Sequence, residues 1–237
     1  MKITLKIKKY NPEKDTDFYW REFEIEAEET DRIMDVLHKA RWYQDGTLAF
    51  RRSCGHGICG SCAMLINGEN RLACMTLVSD VNYKKPIRIE ALPAPTEHIQ
   101  KDMAIDQTSF FDKYQSIKPW LINDEPPPQH RERPQSAEEQ ALIDESTQCI
   151  LCGACTYSCP STWADPEYLG PAAMLKAYRF IFDSRDRGAQ ERLAILDSKQ
   201  GLFKCYTIFN CVHACPKEIN ITWHLGELKK RLAQEKY

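Results

Sequence analysis

The chain has 237 residues, 43% hydrophobic and 28% charged, which suits two domains of ordinary size, each with its own core. Its 32 Lys and Arg against 34 Asp and Glu give a net charge of −2, so there is no electrostatic case for nucleic-acid binding. Met1–Lys9 lacks an apolar core of signal-peptide length, and no apolar run approaches the ~20 residues a bilayer crossing needs. Any membrane attachment is therefore expected through partners.

Ile3, Leu5 and Ile7 alternate with Thr4, Lys6 and Lys8, the period of a half-buried strand, and Phe23, Ile25 and Ala27 repeat it. From Asp31 the period lengthens. Ile33, Val36, Leu37 and Ala40 make a helical face, with Thr30 expected as the N-cap. Ala63–Ile66 and Arg71–Cys74 flank Asn67-Gly68, a pair that accepts the positive φ of a type I′ hairpin turn. Ile87, Ile89 and Ala91 suggest a last strand.

After Pro93 the character changes. Pro119, Pro126-Pro127-Pro128 and Pro134 exclude a long helix or a central strand. Beyond them Ser136-Ala-Glu-Glu139 is a capping box, Gly170-Pro171 opens a helix over 172–182, and Leu225, Leu228 and Leu232 line a C-terminal helix. The order predicts an α+β protein: a small mixed sheet on one helix over residues 1–105, then an all-α half over residues 106–237.

The eleven cysteines are clustered, which scattered buried thiols would not be. An odd count without an export signal also argues against disulfides. Cys54-x4-Cys59-x2-Cys62, closed by Cys74, is the plant-type [2Fe–2S] spacing. Gly55, Gly57 and Gly60 suit a tight loop whose N–H groups approach the sulfurs. Four-thiolate zinc sites usually pair two Cys-x2–4-Cys knuckles, a pattern this group does not follow. His56, inside the loop, reads as a solvated residue because four thiolates complete the coordination; Arg51 and Arg52 read as loop-stabilising.

Cys149-x2-Cys152-x2-Cys155-x3-Cys159-Pro160 is the bacterial two-cluster ferredoxin run. Cys205-x2-Ile208-x2-Cys211-x3-Cys215-Pro216 repeats it in register with one thiolate replaced by isoleucine. In such pairs the fourth cysteine serves the other cluster. Cys149, Cys152, Cys155 and Cys215 are thus expected to hold [4Fe–4S]. Cys159, Cys205 and Cys211 are left as three ligands, suited to [3Fe–4S], the more oxidising of these two clusters. No cysteine remains over.

With these motifs in place the chain resembles, essentially end to end, the iron–sulfur subunits of succinate dehydrogenase and fumarate reductase. Phe50-Arg-Arg-Ser-Cys54, Asn67-Gly68, Cys149-Ile-Leu-Cys152, Ala177-Tyr-Arg-Phe-Ile-Phe-Asp-Ser-Arg-Asp186 and Asn210-Cys211 carry the likeness. The Cys-Ile-Leu-Cys and Asp-Ser-Arg-Asp segments favour the succinate dehydrogenase branch. The resemblance implies an N-terminal β-grasp plant-type [2Fe–2S] ferredoxin domain and a C-terminal all-α bacterial-type ferredoxin domain.

It also implies a role in succinate:quinone oxidoreductase, respiratory complex II. There a flavoprotein subunit with covalent FAD oxidises succinate, and electrons pass singly through three clusters to quinone. Membrane anchor subunits, often carrying haem b, complete the quinone site. The chain is then expected at the cytoplasmic face of a bacterial inner membrane, held through those anchors, with no dicarboxylate-oxidising site of its own.

The family's quinone-pocket positions fall on Pro160, Ser161, Trp163, Tyr206 and Ile208. The sequence departs from the family here. One tryptophan stands where many members have two, the stretch is a residue shorter, and Tyr206 replaces a common histidine. The alternatives are a quinol:fumarate reductase subunit, a free soluble ferredoxin-type carrier and a structural zinc protein.

Overall fold

The structure is a computed structural model that describes residues 1–236. The chain divides into two compact units. The first comprises Met1–Gln107 together with Ile150–Ser158; the second comprises Thr108–Cys149 and the chain from Cys159 onward. A single cut near residue 105 does not include the return of Ile150–Ser158 to the first unit.

In the first unit, strands β1 (Lys2–Lys9), β2 (Tyr19–Glu26), β3 (Ala63–Ile66), β4 (Glu69–Leu72) and β5 (Ile87–Glu90) form one mixed sheet in the order β2-β1-β5-β3-β4. β1 pairs antiparallel with β2, with Leu5 opposite Phe23, and parallel with β5, with Leu5 opposite Ile87. The alternation of β1 therefore delivers Ile3, Leu5 and Ile7 to the core, as its pattern requires. Helix α1 (Ile33–Tyr43) contributes Ile33, Met34, Val36, Leu37 and Ala40 to that same core.

Two expectations in this unit are corrected. Thr30 does not cap α1; Arg32 is the N-cap residue, and its N–H donates to the Asp35 carboxylate at 3.0 Å. An isolated bridge between Arg32 and Leu77 keeps the chain extended to that point, and the Ile33 and Met34 amides donate to Thr76 O and Ala73 O. Tertiary carbonyls thus take the bonds that a side-chain cap would offer. The strand expected over Arg71–Cys74 ends at Leu72, because the Met75 and Thr76 amides both turn back to Leu72 O. The turn itself is as expected, with φ of 52° at Asn67 and 85° at Gly68.

A short hairpin, β6 (Ile99–Lys101) and β7 (Ala104–Ile105), completes the unit. Buried Asp102 in its turn accepts from the Tyr10 and Ala49 amides. Lys9 Nζ lies 3.9 Å from Asp102 and 2.5 Å from Asp45, so the hairpin is tied to β1 by charge.

The second unit is helical. It carries α2 (Thr108–Ser116), α3 (Ala137–Thr147), α5 (Pro160–Ala164), α6 (Pro171–Ile181), α7 (Ala189–Leu196), α8 (Asn210–His213) and α9 (Ile221–Lys236), while α4 (Ala154–Tyr157) belongs to the first unit. The capping box opens α3 as its residues predict: Ser136 Oγ accepts from Glu139 N at 3.2 Å and Glu139 Oε2 accepts from Ser136 N at 2.8 Å. Helix α6 begins at Pro171, whose missing N–H costs nothing at the first turn.

α6 is the centre of this unit. Its Ala172, Ala173 and Ala177 let it pack against α2, α3, α7 and α9. Leu225, Leu228 and Leu232 of α9 are buried, each contributing about 2 kcal/mol by removal from water. A second anchor is electrostatic. Arg192, wholly buried, pairs with buried Asp186 at 2.7 Å and donates to the carbonyls of Ile117, Lys118 and Trp120.

Candidate iron–sulfur sites

The first cysteine group is gathered around the loop 54–62 of the first unit. Gly55, Gly57 and Gly60 all have positive φ, which folds the loop back on itself. At Gly60 the reason is twofold: φ is 69°, and a Cβ would stand 2.8 Å from Cys152 Cα. The fold-back aims amides at sulfur. His56, Ile58 and Cys59 N–H each donate to Cys54 Sγ at 3.4 Å, Cys54 N–H donates to Cys59 Sγ, and Gly57 N–H donates to Cys74 Sγ at 3.3 Å.

Cys54, Cys59 and Cys62 differ electrostatically. The N–H groups of His56, Ile58 and Cys59 draw the Cys54 thiol down to about 6. For Cys59, burial opposes ionisation, but Ser61 and backbone donors outweigh it and the shift is downward. Cys62 is pushed up to about 12, chiefly by burial. Only a bound cation would make a thiolate of Cys62 at neutral pH. Donors ready for negative sulfur, beside a buried thiol whose ionisation metal charge would favour, fit an iron–sulfur cluster. His56 serves through its backbone, while its ring nitrogen lies 2.7 Å from Cys54 O in the exposed loop.

The second run begins with Cys149, whose carbonyl accepts from Lys176 Nζ at 3.2 Å in the second unit. Burial lowers the ammonium pKa of Lys176. Cys152 and Cys155 lie in the segment that returns to the first unit, where Gln107 Nε2 donates to Cys152 O. Leu151 and Gly153 have φ of 54° and 83°, and left-handed Gly153 is the N-cap of α4. Cys215 follows α8, its amide bonded to Val212 O.

Cys159, Cys205 and Cys211 line one small pocket of the second unit, together with Pro160, Ser161, Tyr206 and Ile208. Trp163, on the same short helix as Ser161, is exposed and is not part of that wall. Cys211 is pushed up by burial, and Thr222 Oγ1 lies 3.5 Å from its sulfur. Lys229 Nζ donates to Cys205 O at 2.9 Å. Ser161 Oγ is committed to Lys204 O at 3.0 Å. Phe203, outside the pocket wall, is exposed, and so are Tyr206, Ile208 and Phe209 of the wall itself.

The loop between Cys205 and Cys211 repeats the backbone of the first run. Thr207 and Phe209 have φ of 58° and 68°, and left-handed Phe209 is the N-cap of α8. Ser61, Thr222, Lys176, Lys229 and Tyr168 all reach the cysteine sites, and sequence reading did not single them out. Only Ser61, between two ligand-type cysteines, carries a local signal. Among the described residues no three His, Cys, Asp or Glu side chains are close enough to share one metal ion. Cluster ligands need not be, because the cysteine sulfurs are distributed over several irons.

A family model described as a 2Fe-2S iron-sulfur cluster binding domain matches residues 4–112, and one described as a 4Fe-4S dicluster domain matches residues 141–216. The chain is 46% identical over 200 residues to the succinate dehydrogenase (ubiquinone) iron-sulfur subunit 1, mitochondrial, of Oryza sativa subsp. japonica, covering 84% of this chain and 70% of that protein. It is 39% identical over 236 residues to the succinate dehydrogenase iron-sulfur subunit of Coxiella burnetii, covering 98% of each. A chain of the Mycobacterium smegmatis Sdh1 complex in the apo form has a TM-score of 0.84 over all of this chain and 97% of its own. At 24% identity that is a likeness of fold.

Proposed function

The chain belongs to the succinate dehydrogenase iron–sulfur subunits, the electron-transfer subunits of complex II, and on that premise we propose which residues hold each cluster and which face meets quinone. Cys54, Cys59, Cys62 and Cys74 hold [2Fe–2S]. Cys149, Cys152, Cys155 and Cys215 hold [4Fe–4S], and Cys159, Cys205 and Cys211 hold [3Fe–4S]. Bound so, the clusters supply one-electron steps between a two-electron flavin donor and quinone.

One observation carries the three-iron assignment. The left-handed pair that flanks Cys152 recurs on either side of Ile208, with a short helix starting at the same place after each. The chain therefore presents at Ile208 the position that presents a thiolate in the first run, with an alkyl group in its stead. An alkyl group cannot bind iron.

The quinone end is read from the pocket wall. Pro160, Ser161, Tyr206 and Ile208 stand beside the three thiols, and Tyr206 is 72% exposed with a hydroxyl to offer. Ser161 must release Lys204 O before it can donate to a quinone oxygen. Trp163, Phe203, Tyr206 and Phe209 are exposed aromatics, Trp163 and Tyr206 with a polar edge, and they suit membrane anchor subunits, with or without haem b. Among the described residues no helix is long and apolar enough to cross a membrane. In this reading the chain is peripheral, held between a FAD-containing flavoprotein subunit and the anchors at the cytoplasmic face of a bacterial inner membrane.

The test is the anaerobically purified complex. It should contain about nine irons per copy of this chain and give a three-iron EPR signal in the oxidised state. About ten irons with no such signal would overturn the three-thiolate assignment.

A further inference from the structure

Tyr168 lies between α5 and α6, and none of it is exposed to solvent. It lines the same pocket as Cys159, Cys205 and Cys211. Its hydroxyl donates to Met174 Sδ at 3.8 Å, and the Cys205 side chain is the second sulfur beside it in that pocket. A buried phenol has one proton to place, and leaving it unplaced is costly.

The two sulfurs are unequal acceptors. A thioether accepts weakly, whereas a thiolate bound to iron carries negative charge and draws the donor. The loop does not need the hydroxyl to hold its course, because Tyr168 N bonds Asp165 O and Leu169 N bonds Gln200 O. Phenylalanine would fill the same space, so what the oxygen adds is a dipole directed at sulfur.

We propose that Tyr168 is a positioning residue for the three-iron cluster, its hydroxyl donating to the Cys205 sulfur and thereby raising that cluster's reduction potential. The inference rests on the assignment of Cys159, Cys205 and Cys211 as the ligands. When one electron is added, with no bond made or broken, negative charge grows on the ligand sulfurs. A donor directed at Cys205 stabilises that reduced state more than the oxidised one. Ile208 and Leu225 leave much of the pocket apolar. A single hydroxyl therefore weighs more here than it would in a wet site.

The experiment is an EPR-monitored redox titration of the intact complex, using chemical mediators and dithionite as the electron source. Tyr168→Phe should keep the three-iron signal and lower its midpoint, with the other two clusters unmoved. Met174→Leu, which removes the competing acceptor at nearly constant volume, should not lower it. Site-specific 3-fluorotyrosine at position 168, a stronger donor, should raise it, and this test holds even where Tyr168→Phe fails to assemble.

An unchanged midpoint in Tyr168→Phe, an equal drop in Met174→Leu, or no rise with the fluorinated residue would overturn the role of the hydroxyl. A parent complex with no three-iron signal would instead overturn the ligand assignment, and this inference with it.

Discussion

Ile208 and Cys152 occupy the same place on the same backbone. Each follows a residue with φ between 54° and 58° and precedes one with φ between 68° and 83°, after which a four-residue helix begins. At one of these places the side chain ends in sulfur and at the other in carbon.

Ile208→Cys should therefore complete the second run. The expected outcome is a four-iron cluster in place of the three-iron one, loss of the oxidised three-iron EPR signal, a lower midpoint and slower quinone reduction. An unaltered three-iron signal in a fully loaded variant would show that position 208 does not face the cluster. The side chain is half exposed, so the substitution leaves the core of the unit alone.

Gly60→Ala should cost at least ~1 kcal/mol from its left-handed backbone. The larger effect is the contact of the new methyl at 2.8 Å from both Cys152 Cα and Cβ, atoms held by backbone. Thermal melting of the complex should fall, with weakened two-iron EPR intensity. Gly46→Ala, where nothing lies within 4 Å and φ is not left-handed, is the control and should leave both unchanged. Equal melting for the two variants would refute the close-approach argument.

Arg192→Met should destabilise the second unit by about 3–5 kcal/mol, because it strands the Asp186 carboxylate in the interior. The two side chains are both fully buried. Restoring neutrality with Arg192→Met/Asp186→Asn should recover part of the loss. Anaerobic guanidinium denaturation gives both values, and a double variant no better than the single would mean that the charge was not the cause.

Asp183 provides a pH signature. Burial acts to raise its pKa, but hydrogen bonds from Arg185 and Arg179 overcome that and hold it at about 2. A carboxylate depressed on folding contributes stability above its ordinary value of 3.8, lost as pH falls toward 2. Asp183→Asn should thus cost about 2 kcal/mol, and the gap to the parent should stay flat from pH 7 to pH 5. A gap near zero across that interval would place the folded pKa near its ordinary value.

What the sequence reveals is what repeats along it. Cysteine spacing, the offset at Ile208, the Ser136–Glu139 box and the alternation of β1 are local patterns, and local geometry answers them. Thr30 illustrates the limit: it has the chemistry of a cap, yet Ala73 and Thr76 carbonyls from a distant turn fill the need. Cys74 likewise leaves its expected strand because Leu72 O collects two amides. Tyr168, Thr222 and Lys229 meet the cysteines only through folding, Thr222 at a separation of 11 residues and Lys229 at 24, and no spacing rule reaches them. Trp163, singled out by likeness, is exposed on the short helix that also carries the pocket-lining Ser161.

The amides directed at Cys54, Cys59 and Cys74 come from the main chain, locked by glycine turns and not by side-chain rotamers. Such dipoles are aligned before any charge arrives and need not swing round when it does. The loop can thus meet each change of oxidation state while barely moving, and a small rearrangement is what lets charge jump quickly in either direction.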